Sequence, residues 1–357
     1  MSNLNSTYEP NYIVTPGDVL DDYLDDYSMS QVELSERTGL AKKTINAIIN
    51  AKASISTETA IKFEKVLGRP AHFWNNLELL YKEDLARLEE KKSLSAQVEW
   101  LNNFPLQDMI EKNWIGLYED KYKQLKEVLK FYRIASIDQW ENIWGEYQVA
   151  YRKSKKVNEF SISAWLQQGE IEAQNIECHS FNKKQFQKTL KEIRSLTLLK
   201  PEQFIPRLIE SCSQVGVAVV FLPELKGTGV SGCTRWIGDK AVIQLSLRYK
   251  SNDQLWFTFF HEAGHIIKHG KKEVFLEGNG MNDEKENEAN EFAKEFLIPE
   301  KKFQKFLENW DGRALQPIKT FAESLGIAPG IAVGRLQRDD YLPYSHGNRL
   351  KVFYKWQ

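Results

Sequence analysis

Cysteine is scarce in this sequence. Cys178, Cys212 and Cys233 are its three cysteines, too few and too scattered for a disulfide framework, and no two form a CxxC pair. That usage points to a reducing compartment. Long apolar runs are also missing: none approaches the roughly 20 residues of a membrane-spanning helix, so no membrane association is expected. The opening MSNLNSTYEPNYIVTPG has neither a basic start nor an apolar stretch. A secretion signal is therefore not expected, and the location read from the sequence is cytoplasmic. Nor is there an excess of one charge. With 48 Lys+Arg against 49 Asp+Glu the formal net charge is −1, which gives no global pull toward a polyanion. Any nucleic-acid binding must come from a local patch.

What is present is ordinary globular material, 42% hydrophobic and 27% charged over 357 residues. That length exceeds one typical domain and predicts two or three. Residues 1–13 read as loosely attached. Pro16 suits the first turn of a helix through VLDDYLDDY. Ser30 and Glu33 have capping-box spacing for a second helix, which Gly39 stops. Further helices are expected through AKKTINAIIN, through STETAIKFEKVLG up to Gly68, and after Pro70. Residues 82–200 carry long helical periodicity rich in Trp and Lys. The texture changes after Cys212. GVAVVFLPEL reads as a strand, Gly227–Gly232 as a turn and KAVIQLSLRY as a second strand, before helices return. The expected architecture is multidomain: an all-α helix-turn-helix domain over 14–85, a helical middle region over 86–200 and an α+β domain over 201–357.

The segment His261-Glu262-Ala263-Gly264-His265 has the H-E-x-x-H pattern. Histidines four apart on a helix lie about 6 Å apart along its axis and on one face, so both rings reach one ion. Imidazole suits zinc, and a catalytic zinc keeps three protein ligands and one open position. Glu262, on an adjacent face, is placed to act as general base. Phe257, Phe260, Ile266 and Ile267 flank the motif at near-helical spacing, and Gly270 offers a stop. A third ligand is needed. His269 stands about 12 Å from His261 on a straight helix, too far to share an ion, and is expected to face the helix dipole instead. Lys268 occupies a position where the metzincin pattern has Gly, which excludes that class. The acidic stretch NDEKENEANEFAKEFLIP offers Glu286 and Glu288. Glu286 shares a face with Asn290, which would accept a hydrogen bond from a ligand histidine. Glu288 points about 200° away and is expected to be solvated. Spacing alone leaves the choice between the two open.

HEAGHIIKHG followed by ENEANEFAKEFLIP resembles the ImmA/IrrE family of metallopeptidases over roughly residues 200–300. Glu286, Ala289, Asn290, Phe292, Ala293 and Pro299 fall in register with that family's pattern. The resemblance implies a zincin-like α+β metallopeptidase domain, Zn2+ as cofactor and Glu286 as the third zinc ligand. It further implies cleavage of a protein partner such as a repressor or toxin–antitoxin component. No residue is assigned to oxyanion stabilisation; Tyr341, Tyr344 and His346 are the candidates. The strand around Val242–Leu247 is expected to serve as an edge that captures an extended substrate.

Residues 30–50 read as helix, tight turn, helix, with Leu34, Leu40, Ile45, Ile48 and Ile49 on the buried side. Lys42, Lys43, Thr44, Asn46 and Asn50 face outward. Between Arg37 and Thr57 there are four basic residues and no acidic one, whereas residues 18–26 hold five aspartates. Lys42 and Lys43 suit phosphates; Thr44 and Asn46 suit base edges. The whole stretch from TPGDVLDDYL to FWNNLELLY is similar to the Cro/repressor-like domain of HigA-type antitoxins, which implies operator DNA bound as a homodimer. The combined expectation is a DNA-binding regulator with a zinc endopeptidase. The alternative is a non-catalytic HigA-like antitoxin or repressor whose metal domain senses a ligand or binds a toxin.

Overall fold

The structure, a computed structural model, describes residues 13–151, 158–269, 275–276 and 283–356. The expected loose segment, save residue 13, and the expected stop at Gly270 lie outside the described residues. The chain divides into two compact units, Met1–Glu99 and Trp100–Gln357.

The first unit is all helix: α1 (Pro16–Asp26), α2 (Gln31–Thr38), α3 (Lys42–Ile49), α4 (Thr57–Leu67) and α5 (Ala71–Ser95). Local signals set these boundaries. Thr15 and Asp18 form a reciprocal capping box on α1, and Ser30 and Ser56 cap α2 and α4. Gly39 and Gly68 end α2 and α4 with φ of 66° and 72°, values that favour glycine. Leu20, Leu34, Ile45, Ile48, Phe63 and Trp74 fill the core. The turn between α2 and α3 is fastened twice, as the Ser35 hydroxyl donates to the carbonyl of Leu40 at 2.6 Å and the Leu40 amide donates to the Thr38 hydroxyl at 3.3 Å.

The second unit is mixed. It contains α6 (Leu106–Glu111), α7 (Lys121–Tyr132), α8 (Ile137–Tyr151), α9 (Glu159–Asn175), α10 (Lys183–Ile193) and α11 (Pro201–Ser213). Strands β1 (Val217–Phe221), β2 (Gly232–Ile237) and β3 (Lys240–Leu245) follow, then α12 (Asn252–Lys268), β4 (Phe275–Leu276) and α13 (Asp283–Leu297). The chain closes with α14 (Glu300–Leu307), α15 (Leu315–Leu325) and α16 (Pro329–Arg338). The sheet order is β1-β3-β2-β4, with β1 parallel to β3 and β2 antiparallel to both β3 and β4.

The sheet holds one strand that was not expected, and one expectation about it is corrected. The turn expected at Gly227–Gly232 runs straight into β2, whose GCTRWI lacks the apolar alternation of a strand and is held as one by pairing on β3. The strand expected as a substrate edge is β3, and it is interior: Val242, Ile243, Gln244 and Leu245 pair with β1 on one side and β2 on the other. Its backbone groups are already used, so it cannot add an external strand.

Successive residues of β2 point to opposite faces. Arg235 donates to the carbonyl of Leu166 on α9 at 2.6 Å, whereas Thr234 meets α12. On the α9 side Gln244 donates to the carbonyl of Trp165 at 2.7 Å, and a Cβ on Gly169 would lie 1.8 Å from the Gln244 amide oxygen. Helix α9 therefore packs tightly on one face of the sheet and α12 covers the other.

Most of α12 is buried, and its start is clasped by the end of the chain. The amide of Asn252 donates to the carbonyl of Val352 at 2.8 Å, and the Val352 amide returns a bond to Asn252 Oδ1 at 3.1 Å. Lys351 Nζ reaches Asp253 Oδ2 at 2.7 Å, with the two side chains 9% and 4% exposed. No helix of the described residues is long and apolar enough to cross a membrane.

Removing one member of a buried ion pair strands the other charge, at a cost of about 3–5 kcal/mol. Lys351→Met is expected to destabilise the second unit by that amount in urea unfolding followed by tryptophan fluorescence. A change below 1 kcal/mol, the range of a surface pair, would show that the clasp is not a structural element.

Candidate metal centre and helix-turn-helix face

His261 and His265 lie one turn apart on α12, their side chains almost wholly buried. Their Nε2 atoms are 3.0 Å apart. Glu286, near the start of α13, completes a triangle: Oε2 is 3.2 Å from His261 Nε2 and Oε1 is 3.3 Å from His265 Nε2. Among the described residues these three are the group of ligand-type side chains close enough to share an ion. Ligands held about 2.0–2.1 Å from a tetrahedral zinc stand about 3.3 Å from one another. The separation of the two rings and the distance of each to its nearer carboxylate oxygen are of that order, and one ligand atom from each residue lies within 4.8 Å of the others, so the donor set fits zinc.

The triangle requires α12 and α13 to cross closely. At the crossing a Cβ on Gly264 would lie 3.2 Å from Ala289 Cα and 3.1 Å from the Phe292 ring. Phe260 stacks on Phe296 at 5.0 Å and Ala293 is fully buried, which seals the same interface. The charge state also suits a metal. Burial pushes the His265 imidazolium down, leaving the neutral ring whose lone pair a metal takes. Burial alone would raise the Glu286 carboxyl, but hydrogen bonds from His261 and His265 outweigh it and hold the group at about 2.

Behind the triangle each histidine has a partner at Nδ1. That of His261 is 3.1 Å from Asn290 Oδ1, four residues beyond Glu286 on α13. That of His265 is 3.0 Å from Nδ1 of His269, whose Nε2 is 3.0 Å from Glu288 Oε2. Glu288 is solvated as expected, with its side chain 52% exposed, and one of its oxygens also meets His269. His269 does cap α12, but its ring turns back beneath His265.

Glu262 is fully buried. The Thr234 hydroxyl lies 2.6 Å from its Oε2 and 2.9 Å from its backbone carbonyl. Gly232, two residues earlier on the same face of β2, leaves room for the carboxylate; a Cβ there would lie 2.7 Å from Glu262 Oε1 and 2.5 Å from Thr258. Thr234 and Gly232 were not singled out from the sequence. The alternation within β2 would have placed both on one face, had that strand been recognised. Tyr341, Tyr344 and His346 have their contacts with Phe303, Gln337, Asn348 and Ser345.

On the first unit Lys42, Lys43, Thr44, Asn46 and Asn50 are all exposed, while Ile45 and Ile48 are buried beneath them. Asn50 is partly occupied, because its side chain donates to the carbonyl of Asn46 at 2.7 Å and closes α3. Asn46 Nδ2 lies 3.4 Å from Gln31 Oε1 at the start of α2.

Both regions match known family models. Residues 212–337, which contain the whole triangle, match the IrrE N-terminal-like domain of the M78 peptidases. Residues 22–74 match the helix-turn-helix family. The chain carries a domain of the M78 peptidase type over 212–337 and a helix-turn-helix domain ahead of it. It is 32% identical over 63 residues to the uncharacterized HTH-type transcriptional regulator YddM of Escherichia coli strain K12, spanning 67% of that protein and 18% of this one. It is 34% identical over 65 residues to the uncharacterized HTH-type transcriptional regulator YbaQ of the same strain, spanning 58% of that protein and 18% of this one. Among solved structures, the Pseudomonas aeruginosa antitoxin HigA with higBA promoter is 26% identical, with 23% of this chain and 91% of that one covered at a TM-score of 0.22. In the M78 domain the motif helix is α12, and α13 brings the carboxylate to it.

Proposed function

We propose that this chain is a DNA-binding regulator whose M78 domain is a zinc-dependent endopeptidase acting on a protein partner, a repressor or toxin–antitoxin component. One observation carries the reading: His261, His265 and Glu286 bring two imidazole nitrogens and a carboxylate together closely enough to share one ion, and the buried Glu262 carboxylate stands on the histidines' helix outside that group. His261, His265 and Glu286 would hold the ion and leave a fourth position open. Zinc there would supply Lewis acidity, lowering the pKa of a water to roughly 7 and polarising an amide carbonyl. Glu262 accepts the proton of the attacking water as the new C–O bond forms, then passes it to the amide nitrogen as the C–N bond breaks. Thr234 keeps the accepting carboxylate in place. Asn290 Oδ1 accepts a hydrogen bond from the Nδ1–H of His261, which keeps the proton there and leaves that ring's Nε2 lone pair free for the ion.

In this reading the division of labour follows the chain: operator binding over 14–85, a helical connecting region over 86–200 and proteolysis over 201–357, in a cytoplasmic homodimer. Lys42 and Lys43 meet phosphates, and Thr44, Asn46 and Asn50 face base edges. The non-enzymatic alternative, an antitoxin or repressor with a sensing metal domain, shares the DNA-binding half and differs in what Glu262 does.

Glu262→Gln separates the two. An amide cannot take the water's proton, and loss of a general base costs on the order of 10²–10⁴-fold in rate. The variant is expected to keep its zinc while new protein N-termini seen in cells expressing the parent vanish from N-terminal peptide mapping. Identical N-termini in cells carrying parent or variant would favour the non-enzymatic alternative.

For the first unit, Lys42→Ala with Lys43→Ala is expected to weaken binding to promoter DNA regardless of sequence and to lower the salt slope by roughly 1 per lysine lost. Asn46→Ala should relax sequence preference instead. Parent-like affinity of the double variant across several salt concentrations would remove α3 from the interface.

A further inference from the structure

We infer that His269 and Glu288 are positioning residues for His265, forming a carboxylate–histidine–histidine relay that sets the ring's tautomer and orientation toward the metal. The inference rests on the zinc reading of the triangle and extends it to two side chains outside the ligand set.

Hydrogen placement follows from the ligand role. If His265 offers its Nε2 lone pair to the ion, its one proton sits on Nδ1. That atom lies 3.0 Å from His269 Nδ1, so His269 must accept there. The His269 proton is then on Nε2, which is 3.0 Å from Glu288 Oε2. The carboxylate accepts it. Each step leaves one donor facing one acceptor, and reversing any of them would put a proton on the nitrogen that binds the metal. The chain is also anchored: His265 and His269 are 0% and 4% exposed, and the His269 amide donates to the His265 carbonyl at 2.9 Å.

The relay explains why α13 carries acids at both 286 and 288. Glu286 approaches the triangle from one side while Glu288, on another face of the helix, passes alongside to the ring beneath. With Asn290 behind His261, one helix supplies a ligand and one acceptor for each histidine line. Partners of this kind hold ring orientation and raise ligand basicity, and their loss costs about 10–100-fold in metal affinity.

The test titrates zinc into the full chain against a chromophoric chelator, for the parent, His269→Ala, Glu288→Ala and Glu288→Gln. Melting temperatures of the metal-free proteins are measured alongside. Zinc should bind about 10–100-fold more weakly to His269→Ala and Glu288→Ala, while Glu288→Gln, which keeps an acceptor oxygen, should recover part of the loss. Because Glu288 is half exposed, its metal-free melting temperature should not move, which a merely structural role would not allow. Parent-like affinity in Glu288→Ala, or a loss matched by a fall in metal-free melting temperature, overturns the relay. A parent that binds no zinc overturns the metal reading itself, and the relay with it.

Discussion

One carboxylate has to touch two imidazoles on neighbouring turns of another helix, and the second unit is arranged around that demand. Helices with ordinary side chains at their contact stand 8–10 Å apart. Here Gly264 faces Ala289, and the pair lets α12 and α13 approach until Glu286 bridges His261 and His265. A larger residue at either position would widen the crossing and open the triangle. The phenylalanines at 260, 292 and 296 then seal the interface with apolar area, so the close approach is stabilised by burial as well as allowed by size.

Such a site buries polar groups that need partners, and the fold provides them from three directions. The sheet offers Thr234 and the notch at Gly232 to Glu262. Helix α13 offers Asn290 and Glu288 to the two histidine lines. The end of the chain holds the start of α12 through Asn252 and the Asp253–Lys351 pair. Metal ligands work only when their rings are held in a single orientation, and rigid supporting contacts are how proteins arrange this. The distant C-terminal clasp and the buried threonine therefore serve the same end.

Much of this was legible in the sequence, for local reasons. Capping residues and αL glycines mark α1, α2 and α4 because they act within one turn. The His261–His265 pair is readable because an i, i+4 spacing is a property of the helix itself. Glu286 was not separable from Glu288 by spacing, since both lie on an acidic helix; resemblance singled out Glu286, and the geometry brings it to the rings. What failed was non-local. Strand order is set by pairing partners far apart in sequence, so β3 passed for an edge although it lies inside the sheet. Strand β2, of which only Gly232 fell in the expected turn, was missed because GCTRWI lacks apolar alternation and is held as a strand by pairing on β3. His269 and Glu288 could not be paired from sequence, since their contact depends on how α13 lies against the end of α12.

X-ray absorption at the zinc edge of the zinc-loaded full chain tests the metal centre most directly. The expected shell holds two imidazole nitrogens at about 2.0–2.1 Å and carboxylate oxygen at about 2.0–2.2 Å, in a four-coordinate site. It should lose the carboxylate contribution in Glu286→Gln. A sulfur shell near 2.3 Å, or a spectrum of fully hydrated zinc without imidazole scattering, would contradict the site built from His261, His265 and Glu286.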